Sequence, residues 1–267
     1  ILNEGTNLIS FWSLPADNSI ESLFSGSPVT LILSQFGSTV WYDGFGYYGS
    51  LTHLDRSSGY WVISEEVDTL NIQNATPSIL NMDYSFHEGS NLISFPHEGA
   101  LSLLEMDIPE GISTIFGKNR SAMYYDNQWV GSLKYLQGTK AYVFRTSGES
   151  IFSYPDDNLL YTADSLFGCT DETASNFNPS AIDNEACEYT PPTEFSFDQS
   201  TIQASYIFGS VEIDGLPVNP DSWVGAFNGS TCVGARKWDT SLCNNDKCEI
   251  IVMGESIFAG DIPIFKI

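Results

Sequence analysis

The chain has 267 residues, of which 42% are hydrophobic and 13% aromatic, and its 34 acidic and 10 basic residues give a net charge of −24. The apolar content excludes wholesale disorder, because it is sufficient to build hydrophobic cores. The negative charge argues against nucleic acid and anionic membranes as partners, since both repel an acidic surface.

An internal repeat covers roughly the first 160 residues. The run Asn-Leu-Ile-Ser-Phe occurs at 7–11 and again at 91–95, at an offset of 84. Gly-Ser-Leu occurs at 49–51 and at 131–133, and "GYWVI" at 59–63 is followed by "AYVFR" at 141–145, both at an offset of 82. One module is therefore written twice.

Each copy predicts the same series of elements. A first strand, "NLISF", precedes a short helix, which in copy one follows an N-cap at Asn18 or Ser19 and runs through "IESLF", and in copy two is "ALSLLEM". Strands around "STVWYDG", "YYGSL" and "YWVI" follow, separated by Gly and Asn turns. We predict two tandem β-domains, residues 1–82 and 83–162.

The aromatic residues of these modules allow two interpretations. Trp12, Trp41 and Trp129 are candidates for stacking against sugars if their rings are exposed. Aromatic side chains in small β-domains more often fill the core, which is the favoured alternative.

In Gly5–Phe11, Tyr42–Leu51 and Gly59–Ile63, the module resembles a β-module of secreted bacterial and archaeal proteins. Such modules occur in large multidomain surface proteins and usually have no catalytic role, so the resemblance implies a structural part. Copy two departs from the pattern, because Ala141-Tyr142-Val143 stands where copy one has Gly-Tyr-Trp. A ligand role for Trp61 would therefore not transfer to copy two.

The segment "GCTDETASNFNPSAIDNEACEY", residues 168–189, has two cysteines around a stretch without Lys or Arg. It resembles an acidic repeat that is common in secreted proteins of marine bacteria and is akin to calcium-binding thrombospondin-type repeats. The resemblance implies a Cys169–Cys187 disulfide and bound calcium, which together would give shape to a loop without a core. The sequence departs from the repeat at Glu172, Asn184 and Glu185.

The candidate calcium ligands in this segment are oxygen-bearing side chains, because calcium takes six to eight oxygen ligands. They are Asp171, Asn176, Asn178, Asp183 and Glu188. The alternative is a disulfide-closed linker whose acidic side chains only face water. Pro191-Pro192 follows, so we predict that residues 163–192 are a stiffened spacer between domains.

The last part, residues 193–267, predicts a C-terminal β-sandwich. Its candidate strands are "FSFDQS", "ASYIFGSVEIDG", "SWVGAFNGSTCVGARKW", "CEIIVMG" and "DIPIFKI", with hairpin turns at Asp214-Gly215 and Asn228-Gly229. It resembles a β-sandwich found near the C-termini of secreted bacterial proteins. Its three cysteines leave two pairings open, Cys243–Cys248 and Cys232–Cys248. The abrupt end at "IPIFKI" predicts a piece of a longer protein.

No sequence feature points to catalysis. The three histidines, His53, His87 and His97, stand at non-equivalent places of the repeat, and no Gly-x-Ser-x-Gly or His-Glu-x-x-His motif occurs. We therefore predict an all-β, non-enzymatic, secreted protein of the cell surface, a structural or adhesion protein or a surface-fibre segment with a calcium-stiffened joint.

Two further expectations concern partners. The alternative function is the glycan-binding accessory region of a secreted marine bacterial hydrolase. Neighbouring copies of the chain could pair by strand addition at "ILNEGTNLISF" and "IPIFKI", although pairing of each segment within its own sheet is favoured.

Overall fold

A computed structural model describes residues 1–78, 81–106, 110–155, 160–161, 167–181, 183–184, 187–254, 257 and 260–267. The predicted all-β class is confirmed, since strands dominate and helices are short. Two compact units divide the chain: unit 1 contains Ile1–Lys118 and Tyr135–Ala163, and unit 2 contains Asn119–Lys134 and Asp164–Ile267. The four predicted domains, with boundaries after residues 82, 162 and 192, stay a prediction.

Copy one of the repeat folds into a five-stranded antiparallel sheet with the order β1-β6-β3-β4-β5. Its helix begins after the N-cap Ser19, whose side chain accepts a hydrogen bond from Ser22 N–H, so the prediction of a helix over "IESLF" is confirmed. The elements are β1 (Gly5–Ser10), β2 (Ser13–Leu14), α1 (Ile20–Phe24), β3 (Val29–Leu33), β4 (Ser38–Tyr42), β5 (Gly46–Gly49), β6 (Gly59–Ser64) and β7 (Thr76–Pro77).

The core of copy one lies between this sheet and the helix. Ile20 and Phe24 are the buried residues of α1, and they pack with Ile32 and Val62 of the sheet, as one side of an amphipathic helix should. Tyr60 is fully buried in the same core, and its hydroxyl group donates a hydrogen bond to the backbone carbonyl of Asp55. One face of the sheet therefore packs against α1 in a shared apolar core.

Copy two repeats the strands but not the helix. The segment "ALSLLEM" forms a strand followed by the 3-10 helix Leu103–Glu105, so the prediction of a second helix over this segment is wrong. Ala100–Ser102 pairs instead with Tyr135–Gln137, which commits this stretch to a sheet. The elements are β8 (Asp83–Phe86), β9 (Gly89–Ser94), β10 (Ala100–Ser102), β11 (Ile112–Gly117), β12 (Arg120–Tyr125), β13 (Gln128–Val130), β14 (Tyr135–Gln137), β15 (Ala141–Thr146), β16 (Ser150–Ser153) and β17 (Leu160–Tyr161).

The part of copy two that belongs to unit 1 has an aromatic core. Phe86 stacks on Phe152 at 5.5 Å between ring centroids, and Tyr154 meets Phe95 edge-on at 5.2 Å. β15 pairs with both β9 and β11 in antiparallel fashion. The hairpin β12–β13 belongs to unit 2.

Unit 2 contains most of the predicted C-terminal strands. "FSFDQS", residues 195–200, is an exception, because it forms no strand. Its first residue ends the 3-10 helix Thr193–Phe195. Asp214 and Gly215 have φ angles of 54° and 79°, which confirms the hairpin turn at this Asp-Gly pair. Its later elements are β18 (Phe167–Gly168), β19 (Asp183–Asn184), β20 (Gln203–Phe208), β21 (Glu212–Ile213), β22 (Leu216–Pro217), β23 (Trp223–Asn228), β24 (Thr231–Lys237), β25 (Cys248–Met253) and β26 (Ile264–Lys266).

β25 is buried on both of its faces. Cys248, Ile250 and Val252 point into the core of unit 2, where they pack with Trp238 and Val224. The alternate residues of β25, at positions 249, 251 and 253, are also buried, so a second layer must cover them. Neither terminal segment is left unpaired, because β1 pairs with β6 and β26 pairs with β23.

The described part of the chain contains no helix with the length and apolar character that a membrane span requires.

Candidate interaction sites

The two repeat copies contact each other through equivalent atoms within unit 1. Ser10 N–H donates to Thr139 O at 3.0 Å, and Ser94 N–H donates to Ser57 O at 3.0 Å. The two hydrogen bonds are equivalent in the repeat, because Ser94 corresponds to Ser10 at the offset of 84 and Thr139 corresponds to Ser57 at the offset of 82. The isolated bridges Ile9–Lys140 and Ser58–Ile93 follow the same rule. The two hydroxyl groups do not, since Ser10 Oγ donates to Lys140 O, whereas Ser94 Oγ donates to Arg56 O. The contact is thus reciprocal, as in a symmetric dimer.

A small apolar cluster lies beside these hydrogen bonds. It joins Leu8 and Trp61 of copy one to Leu92 and Ala141 of copy two, and all four are buried. Gly59 is required at this place, because a Cβ atom there would lie 2.7 Å from both Ala141 Cβ and Leu92 Cδ1. The repeat signature therefore has a packing role, since its "NLIS" and "GYW" residues build the contact between the copies.

The Cys169–Cys187 disulfide is present, which agrees with the pairing that the acidic repeat implied. Cys243–Cys248 is the second disulfide, and Cys232 is free and buried, so the sequence alternative Cys232–Cys248 is not formed. Burial raises the pKa of the Cys232 thiol above its ordinary value.

Asp171 is partly exposed and has hydrogen-bond partners within unit 2. Its carboxylate accepts from Tyr189 Oη at 2.7 Å and from Thr173 N–H at 2.8 Å. The hydrogen bond from Tyr189, followed by those from Thr173, lowers the pKa of Asp171 to about 2. Lys237 lies over the Tyr189 ring at 4.4 Å and pairs with Asp221 at 2.9 Å, so the acidic loop is anchored by an aromatic ring and a cation.

The other predicted calcium ligands have local partners as well. Asn176 Oδ1 accepts from Glu188 N–H at 2.8 Å, and Asn178 Oδ1 accepts from Ser180 N–H at 3.0 Å. Glu188 also accepts through its carbonyl from Ser175 N–H at 2.7 Å. Asp183 lies in β19, and its side chain is outside the described part of the structure.

These contacts bear on calcium in two ways. In the described part of the chain, no three His, Cys, Asp or Glu side chains gather closely enough to hold a metal ion. Calcium also accepts amide and backbone carbonyl oxygens, and an oxygen that accepts one hydrogen bond, such as Asn178 Oδ1, has a second lone pair. The calcium site therefore stays a prediction.

The three tryptophans named for sugar stacking differ in exposure. Trp12 and Trp41 are half-buried, and Trp41 meets Tyr47 edge-on at 4.9 Å. Trp129 is only 3% exposed, so it offers no ring face to a sugar. The largest exposed rings near Trp41 belong to Tyr42, Phe45 and Tyr48.

A buried carboxylate that the sequence analysis did not single out lies at the centre of unit 2. Glu249 of β25 is 1% exposed, and its oxygens accept from Ser121 N–H at 3.1 Å and from Ser132 N–H at 2.8 Å. Ser132 Oγ also donates to it, and Arg236 lies 3.2 Å away. Four donors thus compensate the cost of burying this charge. A single Glu in the apolar run "CEIIVM" was the signal that could have revealed it.

The loop closed by Cys243–Cys248 supports the same contact. Gly131 N–H donates to Lys247 O at 3.0 Å, and Asn244 N–H donates to Gly131 O at 2.9 Å. Asn245 Nδ2 reaches Trp129 O at 3.0 Å. The loop therefore adds hydrogen bonds to the edge of the hairpin β12–β13, in the manner of strand addition.

Comparison with known proteins found no match among protein-family models, curated proteins or solved structures. The resemblances to secreted β-modules and to acidic calcium repeats therefore stay predictions, and the arguments for function come from the residues and their contacts.

Proposed function

We propose that this chain is a non-enzymatic structural or adhesion segment of an extracellular protein, in which small β-modules are joined into a load-bearing array. Its acidic surface keeps such an array soluble and apart from nucleic acid. Both disulfides support an oxidising location outside the cell.

One observation carries this proposal, namely the reciprocal contact between the two repeat copies. Paired backbone hydrogen bonds and a buried apolar cluster join module to module, so part of the repeated sequence serves module assembly. Disulfides close two loops that hold unit 2 together, and a covalent closure resists extension. These are the properties that a protein under mechanical load requires.

Calcium has a place in this proposal as an additional stiffener of the acidic loop. Asp171, Asn176 and Asn178 supply carboxylate and amide oxygens within the disulfide-closed loop, and Glu188 directly follows it. Such oxygens suit calcium. Bound calcium would neutralise part of the local negative charge. The loop already has a disulfide and hydrogen bonds of its own, so the ion would add stiffness to a preformed shape.

The test is to stretch the whole chain between its termini by single-molecule force spectroscopy. Under oxidising conditions, the bridge across a sequence separation of 18 hides about 60 Å of contour length, at about 3.4 Å per residue. We expect this length to appear when reductant is added, and unit 1 to unfold in one event because its copies support each other. The double variant Cys169→Ser with Cys187→Ser is the control, and it should release the length without reductant.

Two results would overturn the proposal. The first is turnover of a substrate by this polypeptide alone. The second is glycan-array binding that Trp41→Ala abolishes and that Trp129→Ala leaves intact, which would favour the glycan-binding alternative.

A further inference from the structure

The hairpins of the two repeat copies share a backbone hydrogen bond and the pairing of their strands, yet β25 covers only the hairpin of copy two. In copy one, Leu51 N–H donates to Ser38 O at 3.1 Å, and in copy two Leu133 N–H donates to Ser121 O at 3.1 Å. The cross-strand pairs also correspond, since Val40 faces Tyr48 in β4–β5 and Met123 faces Val130 in β12–β13. Ser38 and Ser50 of copy one thus match Ser121 and Ser132 of copy two.

In copy two, Ser121 and Ser132 of this hairpin bind the Glu249 carboxylate. Ser121 is 0% exposed, Val130 0% and Ser132 3%, because β25 covers the outer face of the hairpin. Glu249 bridges the two serine N–H groups, and Ser121 Oγ meets Ser205 Oγ at 2.7 Å. The hairpin of copy two is therefore built to hold a carboxylate that a neighbouring strand presents.

In copy one, the equivalent positions are exposed or half-buried. Ser50 is exposed, and the ring of Tyr48, which corresponds to the buried Val130, is 57% exposed. Within the described part of the chain, Ser50 Oγ accepts from Ser38 N–H at 3.3 Å and no carboxylate reaches either serine. β5 is the last strand of its sheet, and the Glu21 carboxylate of α1 accepts from its Tyr47 N–H at 3.4 Å.

The open surface is also unusually apolar. Tyr42 is 54% exposed, Phe45 78% and Phe36 87%, all on or next to this hairpin. Aromatic rings that are this exposed around hydrogen-bond donors are typical of a contact surface, since they bury a large area when a partner binds. We call the set Ser38, Val40, Tyr42, Tyr48 and Ser50 the hairpin-one face.

We propose that the hairpin-one face docks a β-sandwich domain of another polypeptide, which presents a carboxylate from the middle of an apolar strand as β25 presents Glu249. The Ser38 and Ser50 N–H groups and the Ser50 hydroxyl group are the equivalents of the Glu249 donors. A carboxylate that displaces the hydrogen bond from Ser38 N–H to Ser50 Oγ would accept from all three, and charge-assisted hydrogen bonds are stronger than the neutral one they replace. The partner is not the Glu249 strand of a second copy of this chain, since that carboxylate is already buried and fully bonded within its own unit 2. The docking site does not depend on the calcium or the load-bearing part of the proposed function.

The experiment uses the whole chain and a peptide that imitates the partner strand. The probe is a disulfide-closed peptide with the sequence of residues 243–254, and its E249Q version is the matched control. Amide resonances of Ser38 and Ser50 are followed by NMR during titration. We expect saturable shifts with the Glu peptide and at least tenfold weaker binding of the Gln peptide, while Ser121 and Ser132 do not shift.

Protein variants complete the design. Ser50→Asp places a negative charge on the hairpin-one face and should abolish the shifts. Ser113→Asp, at an exposed serine of β11, should leave them unchanged. Absence of shifts with both peptides, or equal affinity for the two, would overturn the proposal that the hairpin-one face binds a carboxylate. Sedimentation of the chain alone is the second measurement, and a dimer that Ser50→Asp dissociates would overturn the assignment to a separate polypeptide.

Discussion

Glu249 and Asp171 show that the structural role of an acidic residue in this chain depends on the groups around it. Glu249 is buried and bonded to two backbone N–H groups, a hydroxyl group and Arg236, so its charge is part of a core. Asp171 stays partly exposed, and its hydrogen bonds from Tyr189 and Thr173 shape a loop. Among 34 acidic residues, these two therefore have structural partners that composition does not reveal.

The first residue-scale prediction concerns Glu249. Glu249→Ala leaves two N–H groups and Arg236 without their acceptor in a buried place, so we expect a loss of about 3–5 kcal/mol in the free energy of unfolding. Urea denaturation monitored by tryptophan fluorescence measures it. Glu212→Ala, at an exposed strand position, is the control and should change stability by less than about 0.5 kcal/mol. Equal stability of the two variants would contradict the role of the buried carboxylate.

The second residue-scale prediction concerns pH. The pKa of Asp171 is lowered from its ordinary value of 3.8 to about 2, so its ionised form stabilises the fold above pH 3.8, and that contribution is lost as pH falls towards 2. Tyr189→Phe removes the largest cause, so we expect the pKa of Asp171 to rise and acid unfolding to begin at a higher pH. An NMR titration of the carboxyl carbon checks this. Tyr42→Phe is the exposed control, and an unchanged pKa in Tyr189→Phe would refute the assignment.

At the scale of elements, the repeat signature gains a physical explanation. The strand "NLIS" lies beside the strand that begins "GYW" in copy one and "AYV" in copy two. Residues of these strands also contact the other copy. The same residues thus form a sheet within each copy and a contact between the two copies. Where copy two has Ala141 in place of Gly, the opposite residue in copy one is Gly59, which leaves room for the additional methyl group.

That complementarity gives an element-scale prediction. Gly59→Ala should destabilise unit 1 by about 1–3 kcal/mol, because the new Cβ would lie 2.7 Å from Ala141 Cβ and 2.9 Å from Ile93 O. Adding Ala141→Gly should restore part of the loss, which thermal unfolding of the double variant measures. Gly148→Ala is the matched control, since nothing lies within 4 Å of a Cβ atom there. A destabilisation that Ala141→Gly does not relieve would argue against direct packing of the two positions.

At the scale of the whole molecule, the strongest remaining hypothesis is that calcium stabilises the fold. An ion that binds only the native state raises the melting temperature by mass action, and at about 100-fold excess over Kd we expect a rise of roughly 5–10 °C in calcium relative to chelator. Glu188→Gln should reduce this rise, because it removes the charge of a proposed ligand. Glu172→Gln, an exposed neighbour outside the proposed ligand set, should not. Identical melting with calcium and with chelator would exclude a structural calcium ion.

Much of the fold was predictable from local sequence. The repeat, the strands "NLISF" and "YWVI", the helix capped by Ser19 and the Asp214-Gly215 turn were predicted correctly, because each depends on neighbouring residues and backbone preferences. The helix over "ALSLLEM" was wrong because pairing with Tyr135–Gln137 outweighs helix propensity. The burial of Glu249 could not be read from the sequence, since it depends on residues more than 100 positions away.

What the sequence determined by itself was the all-β class and the duplicated module, because periodicity and turn residues are local signals. The disulfide of the acidic loop was implied by the resemblance to an acidic repeat. The tertiary structure alone decided which of two equivalent hairpins is covered. Ser121 and Ser132 are buried under Glu249, whereas Ser50, with the same local sequence, faces solvent. The physical reason is that burial depends on what packs against a strand, and that partner comes from a distant part of the chain or from another molecule.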